Sequence, residues 1–126
     1  MGEKTYTIQL DHQNKLYAYV KTVQGRVKAF VVKLLCEFEE DETEVLRYDS
    51  GHGTPHVDYL NEKGEVIEKR WLEYLSNDQA LTTAIEDIKG NYQFYHERFT
   101  RWQKREKKKS RRKGKSAGRG KTLKHI

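Results

Sequence analysis

"VKAFVVKLLCEFEE", Val27–Glu40, decides the fold. Phe30, Val32, Leu34, Cys36 and Phe38 recur at period two, and the positions between them are themselves partly apolar. A strand that is apolar on both faces must be covered on both, so this one belongs at the centre of a sheet. Upstream, "YTIQLDHQNKLYAYVKTV" sets Tyr6, Ile8 and Leu10 on one face, breaks at "DHQNK", and resumes with Leu16, Ala18 and Val20, the pattern of a β-hairpin. Gly25 marks the turn into the central strand.

Downstream, the acidic run "EFEEDETE" is expected to form a turn and "EVLRYD" a fourth strand. After the loop "SGHGTP", the segment "HVDYLNEKGEVIEKRW" reads as a strand, a turn at Lys63-Gly64 and a short strand through Val66 and Ile67. Then the period changes. Leu81, Ala84, Ile85, Ile88, Tyr92, Tyr95, Phe99 and Trp102 recur at spacings of three and four, one apolar stripe along an α-helix. Ser76 and Gln79 stand in the S-x-x-Q relation of a capping box, which starts that helix just after Ser76. Gly90 inside it costs about 1 kcal/mol relative to Ala, which the stripe can absorb.

The fold class that follows is α+β: an antiparallel sheet of five or six strands packed by one long C-terminal helix, followed by a basic disordered tail. The 126 residues suffice for one domain and not for two cores of ordinary size. Residues 1–103 are expected to be that domain, and 104–126 a nucleic-acid-binding tail.

The charge distribution supports the division. Between Arg101 and Ile126 there are 13 lysines and arginines against the single acid Glu106, a local net charge of +12. The whole chain carries +6, so residues 1–100 carry −6. A pI near 9.3 and a mean hydropathy of −1.02 therefore average an acidic body with a strongly basic end. Such asymmetry points to a polyanionic partner held by one end of the molecule.

The bases expected to meet phosphates are Arg101, Lys104, Arg105, Lys107, Lys108, Lys109, Arg111, Arg112, Lys113, Lys115, Arg119 and Lys121. RNA is favoured over DNA, because mixtures of Gly, Arg, Lys and Ser fold irregularly on RNA and no helix-turn-helix or zinc-finger spacing is present. A membrane is the weaker partner, since only Trp102 and Leu123 could insert. The alternatives are an acidic protein or a merely solvated tail. Tyr92, Tyr95, Phe99 and Trp102 could stack bases, but their helical spacing favours the core. The acidic body is free to take a basic protein partner, as in a ribosome-associated component.

Cys36 is the one cysteine, so no intrachain disulfide can form and a reducing, cytoplasmic location is expected. Its neighbours "KLLCEF" suggest inert packing. No run approaches the roughly 18 apolar residues of a membrane span, and no cofactor is implied.

"RYDSGHGTPHVDY", Arg47–Tyr59, gathers two histidines, two aspartates, an arginine and the only proline. If the strands on either side pair, Arg47, Asp49, His56 and Asp58 converge, with His52 overhanging from the loop. Arg47, Asp49, His52 and His56 are then candidate catalytic residues for metal-independent RNA cleavage, one histidine as base, the other as acid, and Arg47 facing the charge on phosphorus. The same loop reads more readily as a turn, with Gly51 and Gly53 supplying positive φ, Pro55 fixing its path and the aspartates capping loop amides. A metal held by His52, His56 and an aspartate is the least favoured, because H-x-x-x-H on a loop lacks enforced geometry. His12, His96 and His125 are expected to be solvated.

"LRYDSGHGTPH" resembles the signature of small toxin families of the TumE-like kind, in which an aromatic-Asp-Asn-Ala-Pro-His-His-Pro stretch closes a sheet. Tyr48, Asp49, His52 and Pro55 match, and Ser50-Gly51 replaces the Asn-Ala pair. The resemblance implies an endoribonuclease-like toxin paired with an antitoxin. That family carries a second histidine cluster shortly downstream, whereas here no histidine lies between His56 and His96. The reading from the residues is an RNA-binding protein that grips phosphates through its C-terminal extension, with a small endoribonuclease using His52 and His56 as the alternative.

Overall fold

The structure is a computed structural model that describes the backbone of residues 1–119 and the side chains of residues 1–105. Six strands run in chain order across one antiparallel sheet: β1 (Gly2–Gln9), β2 (Asn14–Val23), β3 (Arg26–Phe38), β4 (Asp41–Asp49), β5 (His56–Leu60) and β6 (Val66–Trp71). A single helix, α1 (Asn77–Arg119), follows. Most of Val27–Glu40 falls in β3, which lies inside the sheet with β2 and β4 on either side, as its two apolar faces require.

Two of the hairpins turn through consecutive left-handed residues, Gln24-Gly25 at φ +52 and +78 and Glu39-Glu40 at φ +51 and +72. Positive φ at both central residues matches the right-handed twist of the flanking strands. The acidic run expected to be a turn is consequently mostly strand. Only Glu39 and Glu40 turn, and Asp41–Thr43 pair with Cys36–Phe38.

One face of the sheet is covered by α1. Leu16, Ala18, Phe30, Val32, Leu34, Cys36, Leu46 and Val57 are buried beneath Ala84, Ile88, Tyr95 and Phe99 of the helix. A bulge between Leu34 and Leu35 adds Val45 to that core. Leu81, Ile85, Tyr92 and Trp102 pack at its margins, so the stripe read from the sequence is the buried face of the helix. Burial also drives the Cys36 thiol pKa up to about 12, which leaves it a packing group rather than a nucleophile.

The start of α1 is fixed by local chemistry. The Gln79 amide N–H donates to Ser76 Oγ at 3.1 Å, and the Ser76 N–H donates back to Gln79 Oε1 at 3.0 Å. Both halves of the capping box are therefore closed. Asp78 accepts from the Val27 N–H, and Asn77 Nδ2 donates to the Lys28 carbonyl, which ties this helix end to the β2–β3 turn. Far along the helix, His96 is not solvated as expected. Its Nδ1 lies 2.7 Å from Oδ1 of the buried Asn14, and its ring packs 4.5 Å from Phe38. The helical backbone runs past residue 104, the boundary expected for the tail, to Arg119. Among the described residues no helix is long and apolar enough to cross a membrane.

Candidate functional site

The sheet face turned away from α1 carries the polar positions of the same strands. Lys33 pairs with Arg47, Arg47 with Asp58, and Asp58 with Lys69, one residue from each of β3 to β6 in a row. The next row sets Val31 beside Asp49, Asp49 beside His56, and His56 beside Trp71. Period-two alternation makes this arrangement unavoidable once the register is set. Arg47, Asp49, His56 and Asp58 thus converge as the sequence implied. Lys33, Lys69 and Trp71, which the sequence reading did not include, join them from the outer neighbours.

Arg47 is held on several sides. Its Nη1 donates to Glu44 Oε2 at 2.9 Å, Nε lies 3.2 Å from Asp49 Oδ2, and Nη2 lies 3.5 Å from Asp58 Oδ2. Lys33 Nζ stands 3.4 Å from Glu44 Oε1. Three bases (Lys33, Arg47 and Lys69) and three acids (Glu44, Asp49 and Asp58) therefore balance before His56 is counted. Asp58 is the most enclosed of these six, 3% exposed. Its Oδ1 accepts no hydrogen bond, although Lys69 Nζ lies 2.8 Å away and supplies charge without hydrogen-bond alignment.

His56 is only 2% exposed and is packed 5.0 Å from the Trp71 ring. Nδ1 sits 3.0 Å from the Thr54 carbonyl oxygen, which can only accept, so that nitrogen carries the hydrogen. Nε2 lies 3.2 Å from Asp49 Oδ1 and 3.7 Å from Asp58 Oδ2. All three neighbours are acceptors. A ring bearing hydrogen on both nitrogens satisfies them, and so would a cation inserted between Nε2 and the carboxylates.

The second possibility is tested by the charges already present. Asp49, His56 and Asp58 each offer one ligand atom within 4.8 Å of the others. Arg47 already bridges the two carboxylates, and Lys69 occupies Asp58. A divalent ion would therefore sit against two fixed cations, and this donor set does not fit one without displacing them.

His52 stands apart from the cluster. It is exposed on the short turn Gly51–Gly53 with φ +66, and makes no hydrogen bond or ion pair among the described residues. Asp49 Oδ1 also accepts the Gly51 N–H at 2.7 Å, and a Cβ on Gly51 would come within 2.9 Å of that oxygen. Gly51 is thus required by close approach, and Gly53 by its φ of +83. Ser50 Oγ accepts the Phe30 N–H at 3.0 Å and anchors the loop. Two histidines positioned as an acid–base pair are not assembled here: one is enclosed with both nitrogens engaged, the other overhangs solvent. The cluster does not line the 260 Å³ cleft between α1 and the end of β3, whose walls include Phe38, His96 and Lys104.

The second group of candidates lies on α1. Arg101, Lys104 and Arg105 are exposed. The side chains of Lys107, Lys108, Lys109, Arg111, Arg112, Lys113, Lys115 and Arg119, and Lys121 as a whole, lie outside the described residues. Of the aromatics weighed for stacking, Tyr95 and Phe99 are buried and Tyr92 and Trp102 partly so. Among the described residues of α1 the exposed large apolar ring is Phe94, off the apolar stripe. No curated protein and no solved structure matches the chain. A family model matches residues 1–105, the six strands and the helix as far as Arg105, and the chain belongs to that family, described as Domain of unknown function (DUF7718).

Proposed function

We propose that the protein binds RNA, gripping phosphates through the basic C-terminal extension of α1. The observation that carries this reading is the concentration of 13 lysines and arginines against one acid from Arg101 to Ile126, on a body whose net charge is −6. Each base that neutralises a phosphate releases condensed counterion, so the affinity is electrostatic and sensitive to salt. The acidic body repels the same backbone, so RNA is held at one end and the body is free for a basic protein partner in a ribonucleoprotein or ribosome-associated setting. A lone buried Cys36 with a suppressed thiolate suits the reducing cytoplasm proposed as its location.

The test is RNA affinity across a salt series for the full chain and for residues 1–103, with the RNA inspected for cleavage in the same samples. The expected result is a steep log–log slope that the truncated chain loses, with at least about a tenfold loss of affinity at moderate salt and intact RNA throughout. Undiminished affinity in the truncated chain overturns the reading. Cleavage that persists without the tail would move the activity to the Arg47–His56 stretch and restore the ribonuclease alternative.

A further inference from the structure

We infer that the RNA path begins on the folded body, on a ridge of α1 formed by Phe94, Arg98, Arg101 and Arg105, where an unpaired base stacks on Phe94 and the following phosphates meet the arginines. This rests on the RNA-binding reading above and names where and in what form the RNA is held.

Phe94 is 52% exposed, with its ring set edge-on 5.6 Å from that of the buried Tyr95, so about half of it is open to solvent. Arg98, one turn on, holds its guanidinium 5.4 Å from the Phe94 ring, 4.6 Å from Trp102 and 5.0 Å from Tyr59. It makes no ion pair among the described residues. Rings hold a guanidinium by its face and leave its N–H edge for an oxyanion, while supplying no competing negative charge. That distinguishes Arg98 from Arg47, whose donors already face carboxylates.

Spacing extends the ridge. Residues 94, 98, 101 and 105 follow steps of four, three and four, which on an α-helix is one stripe, beside the buried one. Arg101 and Arg105 are exposed on it. In the sequence the same steps continue through Lys108, Arg112, Lys115 and Arg119, while the backbone remains helical. Every position of the register from 98 to 119 is basic. At 1.5 Å per residue the described part of this ridge, from Phe94 to Arg105, is about 16 Å long and starts at an aromatic ring.

The ring selects the form of the RNA. In a duplex each base is stacked on both faces and offers Phe94 nothing, whereas a single strand can turn one base onto it. A single strand is therefore the occupant. A duplex or an acidic protein would use the arginines and ignore the phenylalanine.

The experiment uses the full chain and a labelled oligoadenylate of about 12 nucleotides, free or annealed to its complement. Phe94→Ala is expected to weaken single-strand binding about tenfold, with the salt slope and duplex affinity unchanged. Phe94→Leu, which keeps the apolar bulk without an aromatic face, carries the same expectation. Arg98→Gln is expected to weaken binding of both forms and to reduce the salt slope by about one. Circular dichroism melts of the variants confirm that the fold persists. If Phe94→Leu binds the single strand as the parent does, or weakens duplex binding equally, the stacked base is refuted while the tail reading stands. If the full chain shows no salt-dependent RNA binding, both fall together.

Discussion

The Tyr48 hydroxyl of β4 donates to Asp87 Oδ2 of α1 across 2.7 Å, a hydrogen bond that ties the sheet to the third turn of the helix. Tyr95 Oη donates to the same carboxylate at 2.8 Å, and Asn91 Nδ2 donates to Oδ1 at 2.8 Å. Asp87 has no cationic partner among the described residues, so these neutral donors are what stabilises its charge. Asp87→Ala is expected to cost about 2–3 kcal/mol, because it strands two largely buried hydroxyls, whereas Tyr48→Phe removes one bond and costs about 1 kcal/mol. Urea midpoints of the two single variants and the double variant check this. Strict additivity would show that the two side chains do not act as a pair.

The same arrangement fixes how stability responds to alkali. Burial raises the pKa of Tyr48 and of Tyr95 above the ordinary 10.0, and the hydrogen bond to Asp87 raises both further, since ionisation would press two anionic oxygens together. The folded pKa is thus above the unfolded one. The stabilisation is complete below about pH 10, where unfolded tyrosine keeps its proton, and is lost as the pH rises beyond it. The urea midpoint should therefore fall above pH 10 and fall less in Tyr48→Phe. Tyrosinate absorbance assigned to Tyr48 before the far-ultraviolet signal is lost would contradict the shift.

What the sequence disclosed divides by range. The capping box at Ser76 and Gln79, the alternation of β2 and β3, and the stripe from Ala84 to Phe99 rest on neighbours within a few residues, and each stands in the structure as read. Arg47, Asp49, His56 and Asp58 could be brought together on paper because β4 and β5 are joined by a short loop that sets their register. Lys33 and Lys69 could not, since β3 and β6 each contain a register shift against the neighbouring strand, which alternation alone does not reveal. His96 was misjudged for a similar reason. Its partners Asn14 and Phe38 come from the far ends of other strands. Phe94 was overlooked because it lies off the apolar stripe, yet that displacement is the signal that marks it.

The β3–β4 turn carries a local cost that substitution should relieve. Glu39 and Glu40 both occupy the left-handed region, where a Cβ is crowded and glycine is not. The neighbouring β2–β3 turn places Gly25 at the equivalent second position. Glu40→Gly is therefore expected to stabilise the fold by about 0.5–1 kcal/mol, partly offset by the wider freedom of glycine in the unfolded chain. A rise in the urea midpoint with an unchanged slope is the confirming result. A fall would show that Glu40 makes a contact worth more than its backbone strain.

Arg47 and Asp58 decide whether the open face of the sheet is a structural ion network or a reactive site. In the network reading, Asp58 is needed because it is enclosed and shared among Arg47, Lys69 and His56. Its replacement leaves three positively charged or hydrogen-bearing groups without their common acceptor. Asp58→Asn keeps the shape and removes the charge, and is expected to destabilise the fold by about 2 kcal/mol, below the value for fully buried pairs because Arg47 and Lys69 remain about a third exposed. Asp58→Asn combined with Lys69→Met should recover part of that loss, since the second change removes the charge left unpaired. In the reactive reading, Asp58→Asn would instead change turnover of RNA with little effect on the urea midpoint. The two variants measured side by side, for stability and for RNA cleavage, separate the readings. Recovery in the double variant without any cleavage by the parent assigns the cluster to the fold.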